Sequence, residues 1–156
     1  MGTNIRQTDS GSMAFTDDAS AITKLRVGGT LHSNMSIRKF PGVVGVAATT
    51  GGAILSWGNP ENTSIFIDRV EIDVQTKSTG AANLSVGVAA TATTSSANLI
   101  DTYAIGGTEK VVNNMDDKGT NGKSVQKMTV GQFLTLTGSA TTVGLVADVY
   151  VHYYTT

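Results

Sequence analysis

No cysteine occurs in the 156 residues, which rules out a disulfide framework, a thiolate metal site and a cysteine nucleophile, and leaves the compartment open. Charge is sparse as well. Only 15% of residues are charged and the formal net charge is −1, so the basic excess of a general nucleic-acid or anionic-membrane binder is missing, and neither partner is expected. No uninterrupted apolar run approaches the ~18 residues of a membrane helix. The opening MGTNIRQTDSGSM lacks the apolar stretch of a secretory leader, so synthesis in a cytoplasm is expected. Aromatics are few: one tryptophan, four phenylalanines and four tyrosines. Three of those tyrosines, Tyr150, Tyr153 and Tyr154, crowd into the C-terminal LVADVYVHYYTT.

What is abundant is small and β-compatible: Gly, Thr, Ala and Ser, with a hydrophobic fraction of 40%. Length and composition suit one domain with an appendage. The organisation changes near Phe40–Pro41. Before it, TDSGSMAFTDDAS has too few apolar residues to fold alone, and ITKLRVGGTLHSNMSI places two short alternating runs around Gly28-Gly29, a two-residue hairpin signal. No acid lies between Ala19 and Phe40, so Lys24, Arg26, Arg38 and Lys39 form a basic stretch, either a solvated one or one that docks on an acidic partner. The division expected is an extended arm over 1–41 with a β-hairpin in it, and a β-sandwich domain over 42–156.

Beyond Pro41 the pattern is dense. GVVGVAA, GGAILSW, SIFIDRVEIDVQT, ANLSVGVAA, LIDTYAI, KSVQKMTV, QFLTLT and VGLVADVYVHYYT read as strands, separated by turn-like TTGG, GNPENT, KSTGA, ATTSSAN, DDKGTNG and GSATT. No comparable stretch has helical spacing. This spacing of short strands predicts an all-β chain, a β-sandwich or barrel, and suits a jelly-roll-like β-sandwich. In EIDVQTKSTGAANLSVGVA, Val70, Ile72 and Val74 alternate with polar residues and are followed across a turn by Leu84, Val86 and Val88, which predicts a half-buried hairpin.

Two strands carry apolar groups on both faces. In the last one, Leu145, Ala147, Val149, Val151 and Tyr153 share one face, and Val146, Asp148, Tyr150, His152 and Tyr154 the other. Ile65, Phe66 and Ile67 are consecutive, so alternation carried back from Val70 puts Ile65 and Ile67 outward. Tyr150, His152, Tyr154, Ile65 and Ile67 are therefore candidates for an interface that a neighbouring subunit covers; the chain's own arm is the other candidate cover.

Sites of chemistry are weakly signalled. GTNGKS at 119–124 resembles a phosphate loop, but Asp117 stands where a Gly is needed and a strand-like VQKMTV follows where a helix is needed. NNMDDKGTNG offers oxygens like a calcium loop, yet Lys118 occupies a ligand position and Val125 the place of the bidentate Glu. His32 and His152 have no acid at metal-ligand spacing, and G-x-S-x-G does not occur. Asn34, Asn62 and Asn83 begin sequons, but without a secretory leader no glycan is expected. Neither an enzyme nor a cofactor is expected. Trp57 alternates in phase with Ala53 and Leu55 and reads as core; with the terminal tyrosines it could instead form a carbohydrate platform.

The run GGAILSWGNPENTSIFIDRVEIDVQTKSTGAANLSVGVAATATTSSANLID at 51–101, with the closing GQFLTLTGSATTVGLVADVYVHYYT, resembles the jelly-roll virion proteins of tailed bacteriophages, chiefly the head decoration or cement group. The similarity covers about 42–156 and lies in a pattern: a strand, a small-residue turn, an L-x-V-G-V strand, a Ser/Thr-rich loop, then LID. It implies a non-enzymatic jelly roll on the capsid surface, usually a homotrimer, whose partner is the major capsid protein and whose terminal arm reaches between capsid subunits. Within that picture Lys24, Arg26, Arg38 and Lys39 would contact the capsid. A phage fibre or a receptor- or carbohydrate-binding module is the alternative.

Overall fold

In the computed structural model, residues 35–105 and 111–155 are described in full; N-terminal to them, the backbone is described at residues 5–7, 13–15, 24–27 and 30–33. The chain divides into two units, Met1–Asn34 and Met35–Thr156. In the first, β1 (Ile5–Gln7) pairs antiparallel with β2 (Met13–Phe15), and β3 (Lys24–Val27) with β4 (Thr30–Ser33). The register that sets Val27 against Thr30 is the hairpin expected around Gly28-Gly29.

The second unit is all strand and loop among its described residues. Its elements are β5 (Ser36–Val44), β6 (Leu55–Gly58), β7 (Ile65–Thr76), β8 (Asn83–Ala89), β9 (Ile100–Ala104), β10 (Val111–Asn113), β11 (Gln126–Met128), β12 (Phe133–Gly138) and β13 (Val146–Thr155). One antiparallel sheet runs β10-β7-β13-β5, with β11 also on β7, and the other runs β6-β12-β8-β9. Because β10 meets β7 at Glu71–Asp73 and β11 meets it at Ile65–Ile67, the two act as one interrupted strand. Counted that way, the strands lie in the orders 1-8-3-6 and 2-7-4-5. First pairs with last, second with second-to-last, and so inward, alternately in one sheet and the other. That nesting is a jelly roll.

The expected hairpin between β7 and β8 does not form. Both strands alternate as anticipated, with Val70, Ile72 and Val74 and then Leu84, Val86 and Val88 buried, but they lie in different sheets and face each other across the core. Alternation identifies the face a strand buries and is silent about its hydrogen-bonding neighbour. Here β13 and β10/β11 take the edges of β7, while β12 and β9 take those of β8. Leu134, Leu136, Leu145, Val149 and Val151 complete the interior, each contributing about 1.5–3 kcal/mol by burial. On the far side of β8, Gly87 has no room for a Cβ because the Ser96–Asn98 segment lies against it, and Asn98 bonds Val88 through both amide atoms.

The compositional boundary at Phe40–Pro41 falls inside β5. Ser36–Phe40 pair with Tyr153–Val149, so the sheet begins directly after the first unit, at residues whose own apolar content is too low to announce a strand. Strand β10 also escapes a pattern reading, because three residues are too few to establish a period.

Candidate functional site

Strand β13 is central in its sheet, between β7 and β5, and its alternation holds along its length: Leu145, Ala147, Val149 and Val151 are buried, while Asp148, Tyr150, His152 and Tyr154 face outward, half-exposed. Cross-strand register gives each outward residue its neighbours. Tyr150 lies between Glu71 and Lys39, His152 between Arg69 and Ile37, and Tyr154 beside Phe66. The Phe66 and Tyr154 rings stack with centroids 5.5 Å apart and an interplanar angle of 22°. Ile37, on the edge strand, is 61% exposed. The result is a band that crosses three strands, aromatic or aliphatic at Phe66, Tyr154, Tyr150 and Ile37 and charged between them.

The charges are paired within the band. Lys39 Nζ sits 2.7 Å from Asp148 Oδ2 and 5.0 Å from the Tyr150 ring centroid, and Asp148 Oδ1 accepts from the Gly42 amide at 2.8 Å. The hydrogen bond to Asp148, with a further one to Tyr150, holds the Lys39 ammonium well above the usual lysine range; the same lysine, and then the Gly42 amide, pull the Asp148 carboxyl below the usual carboxylate range. Glu71 accepts from Arg69 Nη1 at 3.0 Å and lies 3.5 Å from His152 Nε2. Both ion pairs are exposed to solvent, so they set side-chain positions more than they stabilise the fold.

A second aromatic group lies at the rim of the sandwich, where edge strands β5 and β6 belong to opposite sheets. Trp57 meets Phe40 edge-on at 5.9 Å and Tyr153 at 5.4 Å. The Arg38 guanidinium lies over the Phe40 ring, 5.4 Å from its centroid, and Tyr153 Oη donates to Glu61 Oε1 at 3.4 Å. Burial is the main cause that raises the Tyr153 phenol above its usual range. Trp57 is partly buried and packs against the hydrophobic core, as the alternation with Ala53 and Leu55 suggests, at the rim where the two sheets meet.

Ile65 and Ile67 do not belong to the outward band. Both are 0% exposed within the single chain and pack in its core, and Phe66 is the side chain that points out. The cause is a β-bulge: His152 pairs with Arg69 and Tyr153 with Ile67, which leaves Asp68 unmatched and reverses the phase of β7 below it. The consecutive polar pair Asp68-Arg69 was the available sign of it. Of the four basic candidates, Lys39 is engaged by Asp148 on the outer face and Arg38 sits over Phe40 on the inner one. The side chains of Lys24 and Arg26, like that of His32, lie outside the described residues. Asp116 and Asp117 interact with Asn113 in a loop, and no group of three His, Cys, Asp or Glu that could hold a metal ion occurs among the described residues. Nor does any described helix have the length and apolarity to cross a membrane. No protein-family model, curated protein or solved structure matches the chain at a significant level.

Proposed function

We propose that this chain is a structural virion protein of a tailed bacteriophage, a head decoration or cement protein that sits on the outer capsid surface as an oligomer and binds the major capsid protein. The observation that carries the reading is the outward band of Phe66, Tyr150 and Tyr154 on a jelly-roll sandwich. A neighbouring subunit is a suitable cover for these rings, since tyrosine combines a large apolar body with a polar tip and is favoured where association must keep some contact with water. The trimeric state and the capsid as partner are supported by the similarity of the strand and loop pattern to decoration proteins.

The test has two arms. Sedimentation at micromolar concentration should give an oligomer, most simply a trimer, and changing Tyr150 and Tyr154 together to Ser should shift it toward monomer while the β-sheet circular dichroism stays in place. Co-sedimentation with empty heads of the phage that encodes the chain should then be saturable. A monomeric wild type would remove the interface, and failure to bind heads would remove the capsid.

A second reading, a receptor- or glycan-binding module of a fibre, is favoured by the partly exposed Trp57 between Phe40 and Tyr153. Binding to host cells or glycans that Trp57→Ala abolishes, without binding to heads, would select it.

A further inference from the structure

The loop that joins β10 to β11 reaches across to β9, and the contact that ties its tip there is chemically perishable. Asn121 donates to one oxygen of Asp101, Oδ2, from its side-chain Nδ2 at 2.6 Å and from its backbone nitrogen at 3.2 Å. The other oxygen, Oδ1, accepts from the Thr102 hydroxyl at 2.7 Å, and the Asp101 amide donates to the Lys118 carbonyl at 2.9 Å. Asp101 and Asn121 thus close a clasp between β9, the edge of one sheet, and the loop that interrupts the edge of the other. Thr102, beside it, holds φ at 62°, a left-handed conformation that a β-branched residue seldom adopts without tertiary support.

Asn121 is the chain's single asparagine followed by glycine. The glycine is enforced by packing. A Cβ at 122 would overlap the carbonyl oxygens of Lys118 and Leu99, so no larger residue fits where the loop turns under. The clasp needs an amide at 121 and the packing needs glycine at 122. Together they place the most easily deamidated dipeptide at an exposed position, since glycine offers neither side-chain obstruction nor backbone restriction to ring closure.

We propose that Asn121 is a deamidation site gated by Asp101, and that its conversion loosens the tip of the 114–124 loop on β9. In the reaction the Gly122 nitrogen, its proton lost to solvent base, adds to Asn121 Cγ; the Cγ–Nδ2 bond breaks and ammonia leaves, giving a cyclic imide. Water adds to either imide carbonyl and opens the ring to aspartate or isoaspartate. Nothing is oxidised or reduced. While Nδ2 is held on Asp101, the amide cannot turn its Cγ toward the Gly122 nitrogen, so the clasp must open first. Afterwards a carboxylate faces the Asp101 carboxylate where an N–H had been, so the side-chain half of the clasp is replaced by repulsion and only backbone contacts hold the loop there.

The experiment is incubation of the full chain at 37 °C and mildly alkaline pH, with deamidation followed by intact mass and located by peptide mapping. Asn121 should convert before every other asparagine, with isoaspartate as a major product, and Asp101→Ala should convert several-fold faster. In parallel, Asn121→Asp should raise amide hydrogen exchange across 114–124 several-fold, and Asn121→Ser, which loses the amide without gaining a charge, should raise it less. Persistence of Asn121 while other asparagines convert, an unchanged or slower rate in Asp101→Ala, or exchange in Asn121→Asp equal to wild type would each overturn the proposal.

Discussion

Asn114 is the buried polar residue at the break between β10 and β11. It is 0% exposed, and its side chain satisfies both termini of a break in the sheet: Oδ1 accepts from the Val70 amide at 2.7 Å, and Nδ2 donates to the carbonyls of Lys123 and Ser124 at 3.1 and 2.9 Å. Where β10 ends and β11 has not begun, β7 would otherwise present unpaired backbone to the interior. An Asn114→Ala chain would leave the buried Val70 amide without its partner and remove the donor shared by the part-buried carbonyls of Asp68, Lys123 and Ser124. The expected loss is about 2–4 kcal/mol, read as a lower urea midpoint with an unchanged slope. Thr142 performs a similar task on a smaller scale, its hydroxyl bonding both the amide and the carbonyl of Val46 at 2.9 Å. Neither residue is distinguishable in the sequence from its neighbours Asn113 and Thr141, which face solvent or sit half-exposed, because polar satisfaction depends on what the fold brings alongside.

At the scale of the element, the bulge at Asp68 decides which side chains the outer face presents. It inserts one residue into β7 between two stretches that are each in phase, so that Ile65 and Ile67 join Val70 and Ile72 in the core while Phe66 emerges against Tyr154. This arrangement makes a sharp contrast between two single-residue deletions. Deleting Asp68 leaves His152 opposite Arg69 and Tyr153 opposite Ile67 with no gap, keeps every inward residue inward, and should cost less than about 2 kcal/mol. Deleting Glu71 shifts one half of the strand by a residue and turns its buried set toward solvent, a change of more than about 4 kcal/mol that should leave no cooperative melt. Thermal denaturation of the two chains side by side measures the difference.

For the whole molecule, the informative boundary lies between the two units, after Asn34. Residues 35–156 contain every strand of the jelly roll, including the β5 segment Ser36–Phe40 that composition assigns to the arm. A chain that starts at Met35 should therefore melt like the full-length protein. One that starts at Gly42 loses the hydrogen-bonded partner of Val149–Tyr153 and the Phe40–Trp57 contact, and its midpoint should fall by more than about 5 °C. If the two truncations melted alike, β5 would be dispensable and the sheet would end at β13. Because Arg38 and Lys39 remain in the longer truncation, comparing the affinities of full-length and Met35-start chains for phage heads also isolates what the first unit adds to attachment.

The all-β class, the inward set of most strands and the two-faced character of Leu145–Tyr154 follow from local alternation, since a side chain's direction depends only on its place along a pleated backbone. The antiparallel pairing of Lys24–Val27 with Thr30–Ser33 is legible for the same reason, as a two-residue hairpin signal is local. Three things required the tertiary structure. The partners of each strand, and with them the separation of β7 from β8, come from contacts far apart in sequence, which period-two patterning does not encode. The outward place of Phe66 depends on a bulge whose single extra residue reverses the phase. The clasp of Asp101 with Asn121 joins residues twenty positions apart in loops and edges without periodicity of their own, so only the closing of the two sheets on each other brings them within hydrogen-bond reach.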